Sequence, residues 1–249
     1  GGRGEATSVG GGTREGVVDK ARRKEAMGVK DRRGLYTRRV FSTYVGGGLA
    51  LLAEGVKPAM IDNAGRMAGM PVGPLALADE VSLELMARIR KQTAADLGKA
   101  YQRSTIDDVC DRMVDKLGRL GKKAGKGFYD YPQDGQKQLW AGLAQEFPLA
   151  ARQPTVEEVK QRLMLIQSVE TARCLEEKVL LAPIDADVGA ILGWGFPACL
   201  GGPIGQIHSL GMAAFVKACE TLADRHGARF APPPLLRRMA DRGERFYDL

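Results

Sequence analysis

Two histidines, His208 and His226, are all that the chain offers for acid–base work near neutral pH. His208 follows Ile207 on a short helical run, and His226 ends a helix, where a partly cationic imidazole suits the dipole. Both read as structural or surface residues. Asp185 with Asp187, and Glu176 with Glu177, have the look of paired carboxylates that hold a cation. Their positions favour helix-start charge for the first pair and a solvated face for the second. Lys122, Lys123 and Lys126 stand among glycines and would suit a phosphate, but the Ser/Thr and spacing of a P-loop are missing. A turn between helices is the favoured role, with phosphate contact as the alternative. Gly10-Gly11-Gly12 with Gly16 lacks dinucleotide-loop spacing and has no buried strand leading into it. Cys110, Cys174, Cys199 and Cys219 are too scattered for a zinc site or a disulfide scaffold and predict reduced thiols in a cytoplasmic protein.

These groups need elements to position them. The chain has 249 residues, of which 44% are hydrophobic, and a mean hydropathy of −0.21. That suffices for one large domain or two ordinary ones and excludes disorder throughout. No stretch approaches the ~18 apolar residues of a membrane span, and no apolar leader core is present. The net charge of +7 is local. Residues 1–40 carry 11 Lys+Arg against 5 Asp+Glu, and the rest carry 26 against 25. No aromatic precedes Tyr36 on which bases could stack, so nucleic-acid binding is disfavoured. Residues 1–30 hold eight of the 32 glycines and no Leu, Ile or aromatic residue. They read as a flexible basic arm, of the composition a shifted reading frame or a fusion would give.

From about Arg38 the pattern is helical. Phe41, Tyr44/Val45, Gly48 and Leu52 share a face, and Gly55 is the stop. Gly46, Gly47 and Gly48 cost about 1 kcal/mol each relative to Ala, which implies close backbone packing or a tolerated lesion. Pro58 opens a second helix. Pro74 opens a third, with a stripe running from Leu77 through Val81 and Leu85 to Ile89. Thr105 with Asp108 suggests a cap for a fourth. Gly121–Tyr131 is turn-rich, and Gln136–Glu146 predicts a short helix. Thr155 with Glu158 caps a long helix, and further runs cover about 185–192, 204–210, 212–226 and 234–242. No run alternates with period two, so the expected fold is all-α.

The chain also repeats itself. "LAEGVKPAMIDNAGRMAGMPVGP" closing with "GFYDY" is answered by "CLEEKVLLAPIDADVGAILGWGFP" closing with "RFYDL". Asp62 corresponds to Asp187 and Phe128 to Phe246. The expected organisation is an arm (1–30), a first helical unit (31–132), a linker (133–154) and a second unit (155–249).

Arg39-Val40-Phe41, the turn Gly69-Met70-Pro71-Val72-Gly73-Pro74 with Asp79 after it, and Gly125-Lys-Gly-Phe-Tyr-Asp-Tyr131 resemble the C-terminal domain of 3-hydroxyacyl-CoA dehydrogenases. The duplication resembles the dehydrogenase part of multifunctional fatty-acid β-oxidation proteins. The resemblance implies oxidation of (S)-3-hydroxyacyl-CoA by NAD, with a Rossmann domain for the cofactor and a His–Glu pair for catalysis. It implies that the helical domain walls the acyl-CoA cleft and takes part in a homodimer or a multienzyme complex. The chain departs from that pattern: no G-x-G-x-x-G follows a strand, and neither His lies in a catalytic motif. No catalytic residue, bound cofactor or metal ligand is therefore expected here; NAD belongs to the complete enzyme. Arg38 stands where the family has a substrate-contacting Asn. Arg38, Met70, Pro71 and Val72 are the expected substrate contacts, with Met70 and Val72 along an acyl chain. The competing expectation is a stand-alone, non-catalytic module that binds acyl-CoA or a partner.

Overall fold

A computed structural model describes residues 36–247; the predicted arm, and with it the question of its origin, lies outside them. The described residues open with α1 (Tyr36–Ala53), followed by α2 (Pro58–Met67), α3 (Pro74–Val81), α4 (Leu83–Leu97) and α5 (Thr105–Asp111). A two-stranded antiparallel ladder, β1 (Tyr129–Asp130) and β2 (Gln138–Leu139), and a one-turn α6 (Leu143–Glu146) follow. The second half contains α7 (Val156–Glu176), α8 (Pro183–Trp194), α9 (Pro203–Leu210), α10 (Met212–His226) and α11 (Pro234–Arg242). The described residues are thus mostly helical.

Helices α1 and α7 form the central pair. α1 is buried almost all round from Tyr44 to Leu52. Successive residues on a helix point about 100° apart, so three consecutive glycines open three directions. A Cβ on Gly46 would lie 3.1 Å from Ile106 of α5, and one on Gly47 would lie 3.4 Å from Leu163 of α7. On Gly48 it would lie 2.5 Å from the Pro74 ring of α3. Close packing, rather than a tolerated lesion, explains the triplet. At the exposed end of the pair, Arg39 is held by Glu170 and Glu177, with one bond to Glu177 of 2.8 Å.

Each half carries the same buried cap. Asp62 accepts the Leu75 and Ala76 amides (2.7 and 3.0 Å) at the start of α3, and the Tyr129 hydroxyl at 2.6 Å. Asp187 accepts the Ile204 and Gly205 amides (2.7 and 3.1 Å) at the start of α9, and the Tyr247 hydroxyl at 2.6 Å. Both helices open on proline, so the first amide needs no partner and the next two are served by one carboxylate. Glycines 73 and 202 leave room for it. A Cβ at either position would lie 2.4 Å from the aspartate.

The structure corrects several expectations. The single helix predicted from Pro74 to Ile89 is two, because Ser82 adopts φ 86 and its hydroxyl caps α4. The cap of α5 is Ser104 with Asp107, one residue earlier than Thr105 with Asp108. The short helix predicted for Gln136–Glu146 is strand β2 followed by α6; the main chain of Trp140 pairs with Phe128 (3.0 Å) and so cannot coil. Asp187, expected as helix-start charge, is instead the buried cap of the next helix. Glu176 and Glu177, expected on a solvated face, tie α7 to α11 and α1: Glu176 accepts the Leu235 amide at 2.8 Å.

Gly48→Ala should lower stability by about 1–3 kcal/mol, the usual cost of overpacking a tight contact. Denaturant unfolding would check this, with unchanged stability as the contrary result.

Candidate functional site

A cavity of about 800 Å³ opens between the first turns of α1, the paired helices α3 and α4, the start of α5 and the end of α8. That is within the range of small-ligand pockets. α1 contributes Arg38, Phe41 and Val45. Leu77 and Val81 of α3 and Leu85, Met86 and Ile89 of α4 line one continuous wall across the break at Ser82. Ile106 closes one end, and Gly193 with Trp194 from the second half closes the other. Trp194 is fixed by its indole N–H, which donates to Gln167 Oε1 (2.9 Å), and by an edge-on contact with Tyr36. The wall is apolar, so it takes an aliphatic group by excluding water rather than by hydrogen bonding.

A second cavity of about 800 Å³ lies where α2, α7, α9 and α10 meet. Glu157, Glu158, Lys160 and Arg225 line it. An aliphatic ligand gains less there, because those charges would have to give up water.

Of the four expected contacts, only Arg38 lines the α1 groove. Met70 is buried, with its sulfur 3.9 Å from the Gln167 amide nitrogen. Pro71 packs on Gly195, where a Cβ would lie 2.8 Å from the ring. The Val72 carbonyl accepts the Tyr44 hydroxyl at 2.8 Å. The turn containing Met70, Pro71 and Val72 therefore sits between the two halves and does not face the groove. The stripe from Leu77 to Ile89 is legible in the sequence, but its place on a groove wall is not. Periodicity marks an apolar face without telling whether a helix or a ligand covers it.

The other candidates have structural partners. Lys122 reaches Glu80 (3.3 Å) beside a tight turn. His208 stands beside the Tyr247 ring, five residues after Pro203, as Asp79 stands five after Pro74. His226 ends α10 as expected, but burial and then the nearby Arg162 lower its pKa, so the neutral imidazole is favoured over the expected cation. Burial pushes the thiols of Cys110, Cys174 and Cys219 up to about 11, 12 and 12, which makes them poor nucleophiles. Among the described residues, no helix is long and apolar enough to cross a membrane.

Asp79 holds the back of the groove wall. Its carboxylate accepts the Phe128 amide (2.8 Å), the Tyr129 amide (2.9 Å) and the Tyr131 hydroxyl (2.9 Å). This pins the Gly121–Tyr131 turn to α3. A Cβ on Gly127 would lie 2.0 Å from the carboxylate.

Comparison with known proteins agrees with these features. Residues 34–131 match the family described as "3-hydroxyacyl-CoA dehydrogenase, C-terminal domain". The chain is 37% identical over 232 residues to the fatty acid oxidation complex subunit alpha of Shewanella halifaxensis (strain HAW-EB4). That alignment covers 92% of this chain and 32% of the relative, so the chain spans about a third of that protein's length. The fold is that of 3-hydroxybutyryl-CoA dehydrogenase from Escherichia coli K12 substr. MG1655 (TM-score 0.73, 20% identity, 96% of this chain and 66% of the other). It is also that of the dehydrogenase part of multifunctional enzyme 1 from C. elegans (TM-score 0.68, 20% identity, 95% and 54%).

Burial raises the Asp79 pKa from 3.8 to about 6 against the pull of its three donors. Folded Asp79 therefore keeps a proton that the unfolded chain releases near pH 4. Its contribution is full below pH 4 and declines as pH rises towards 6. Asp79→Asn cannot titrate. The stability difference between wild type and Asp79→Asn should change with pH across this window, in the sense that wild type loses ground; a flat difference in urea titrations at pH 4, 5 and 6 would contradict it.

Proposed function

We propose that this chain is the substrate-binding and dimerisation part of an NAD-dependent (S)-3-hydroxyacyl-CoA dehydrogenase of fatty-acid β-oxidation. In this reading two tandem units, 31–132 and 155–249 joined by a linker at 133–154, make one helical body. The matching Asp62–Tyr129 and Asp187–Tyr247 caps support the duplication. The body works as a homodimer or within a multienzyme complex in the cytoplasm, a setting that four free cysteines suit.

The observation that carries the reading is the apolar groove of about 800 Å³ in the segment that matches the family. An acyl chain lying there is desolvated against α3 and α4, and Arg38 lines the same groove. The groove can supply affinity and orientation. Hydride transfer also needs the nicotinamide held against the substrate carbon, and such positioning is worth roughly 7–11 kcal/mol of the barrier. No described residue forms a Gly-rich phosphate loop at a helix start, and neither histidine lines the groove. Binding without reacting groups does not accelerate a reaction. NAD and the general base are accordingly assigned to residues other than 36–247, and the chain alone should be silent.

Leu85 is partly exposed and lines the groove, so Leu85→Gln should leave the fold intact. It should weaken binding of a medium-chain acyl-CoA about fivefold, roughly 1 kcal/mol of lost apolar contact. Calorimetry on the full chain would check this, and should find no micromolar NAD affinity. Unchanged acyl-CoA binding would count against the groove. Turnover by the chain alone that survives His208→Ala and His226→Ala would overturn the assignment of chemistry elsewhere.

A further inference from the structure

We propose that the α1 groove also binds fatty carboxylates, with the Arg38 guanidinium holding the head group and the apolar wall holding the tail. This rests on the reading of the groove as an acyl site and adds a ligand of different head-group charge. The argument starts from the charges along the groove. Two arginines line it, and no carboxylate does so among the described residues. Arg90 is already committed, with Nε on Asp107 and Nη2 on the Ser104 hydroxyl at 3.0 Å. Arg39, next in the chain, is committed to Glu170 and Glu177. Arg38 makes no ion pair among the described residues; only its carbonyl is engaged, accepting the Ser42 hydroxyl at 2.7 Å.

The groove thus presents an unneutralised, planar cation at the start of α1 and an aliphatic wall leading away from it. An ammonium head would be repelled, and a neutral alcohol would leave the cation as it was. A carboxylate can take two parallel N–H donors from a guanidinium, a match that neither alternative offers. The tail then runs along Phe41, Leu77, Met86 and Ile89 towards Ile106, and each buried methylene adds to affinity. Phosphate anions lack such a tail and gain only the head contact.

Trp194 lines the groove and serves as a built-in reporter, while the only other tryptophan, Trp140, is stacked on Arg119 outside it. The full chain would be titrated with dodecanoate, 1-dodecanol and dodecanoyl-CoA at low ionic strength, following tryptophan emission and, independently, heat. Dodecanoate should bind about tenfold tighter than dodecanol, and added salt should shrink the ratio. Arg38→Gln should bring the ratio close to one without weakening dodecanol binding, and Arg38→Lys should keep part of it. Because Arg38 is exposed, neither variant threatens the fold. Equal affinity for acid and alcohol in the wild type, or a preference that survives Arg38→Gln, would overturn the proposal. Binding of dodecanoyl-CoA without dodecanoate would also overturn it and leave the acyl-CoA reading standing. Silence towards all three ligands would defeat both.

Discussion

The whole arrangement depends on how closely other helices approach α1. A helix buried on every side has no face left for bulky residues wherever its neighbours come nearest. Gly46, Gly47 and Gly48 meet this constraint in three directions at once: towards α5, α7 and α3. The intrinsic cost of three glycines in a helix is about 3 kcal/mol against alanine. It is offset by contacts along α1 with three helices, of which the one from Gly48 to Pro74 leaves no room for an alanine at the same separation. The α1–α7 pair joins the halves, the α1–α3 contact places the groove wall, and the α1–α5 contact closes one end of the groove.

The second organising device is a buried carboxylate that finishes a helix it does not belong to. Asp62 and Asp187 satisfy the second and third amides of α3 and α9, and each is itself steadied by a tyrosine near the end of its half. A buried carboxylate would be costly alone, and three donors compensate it. The halves then diverge. In the first, Asp79 reaches onward to clamp residues 128–131 around β1; in the second, the corresponding position holds His208, which touches only the Tyr247 ring among the aromatic side chains of the described residues. Most of the groove lies in the half that keeps the clamp.

Much of this could be read from residues alone. Helix starts at Pro58 and Pro74 and the cap at Thr155 are local, because proline and threonine act through backbone geometry and one hydrogen bond. The correspondence of Asp62 with Asp187 was visible as repeated text, although the caps they form were not, since the partners lie 13 to 18 residues away and only the fold brings them together. The break at Ser82 was hidden because the apolar stripe on either side of it stays in register, and the bond that stabilises the break, from the Leu83 amide to Leu120, comes from a distant turn. Arg38 stood out by its place beside a motif. Met70, Pro71 and Val72 form a glycine-bounded turn, which marks a close approach, and in the structure Gly195 lies against Pro71, a contact that the residues alone do not reveal.

Trp194 is the part of the groove that the second half supplies. A ligand that touches it binds more tightly while the halves stay docked, so occupancy and docking are thermodynamically linked. Any such ligand raises the free energy of separating the halves by at most RT ln(1 + [L]/Kd), about 2.7 kcal/mol at a hundredfold excess over Kd. The α1–α7 seam is then more than scaffolding: it tightens when the groove is filled and is easiest to part when the groove is empty.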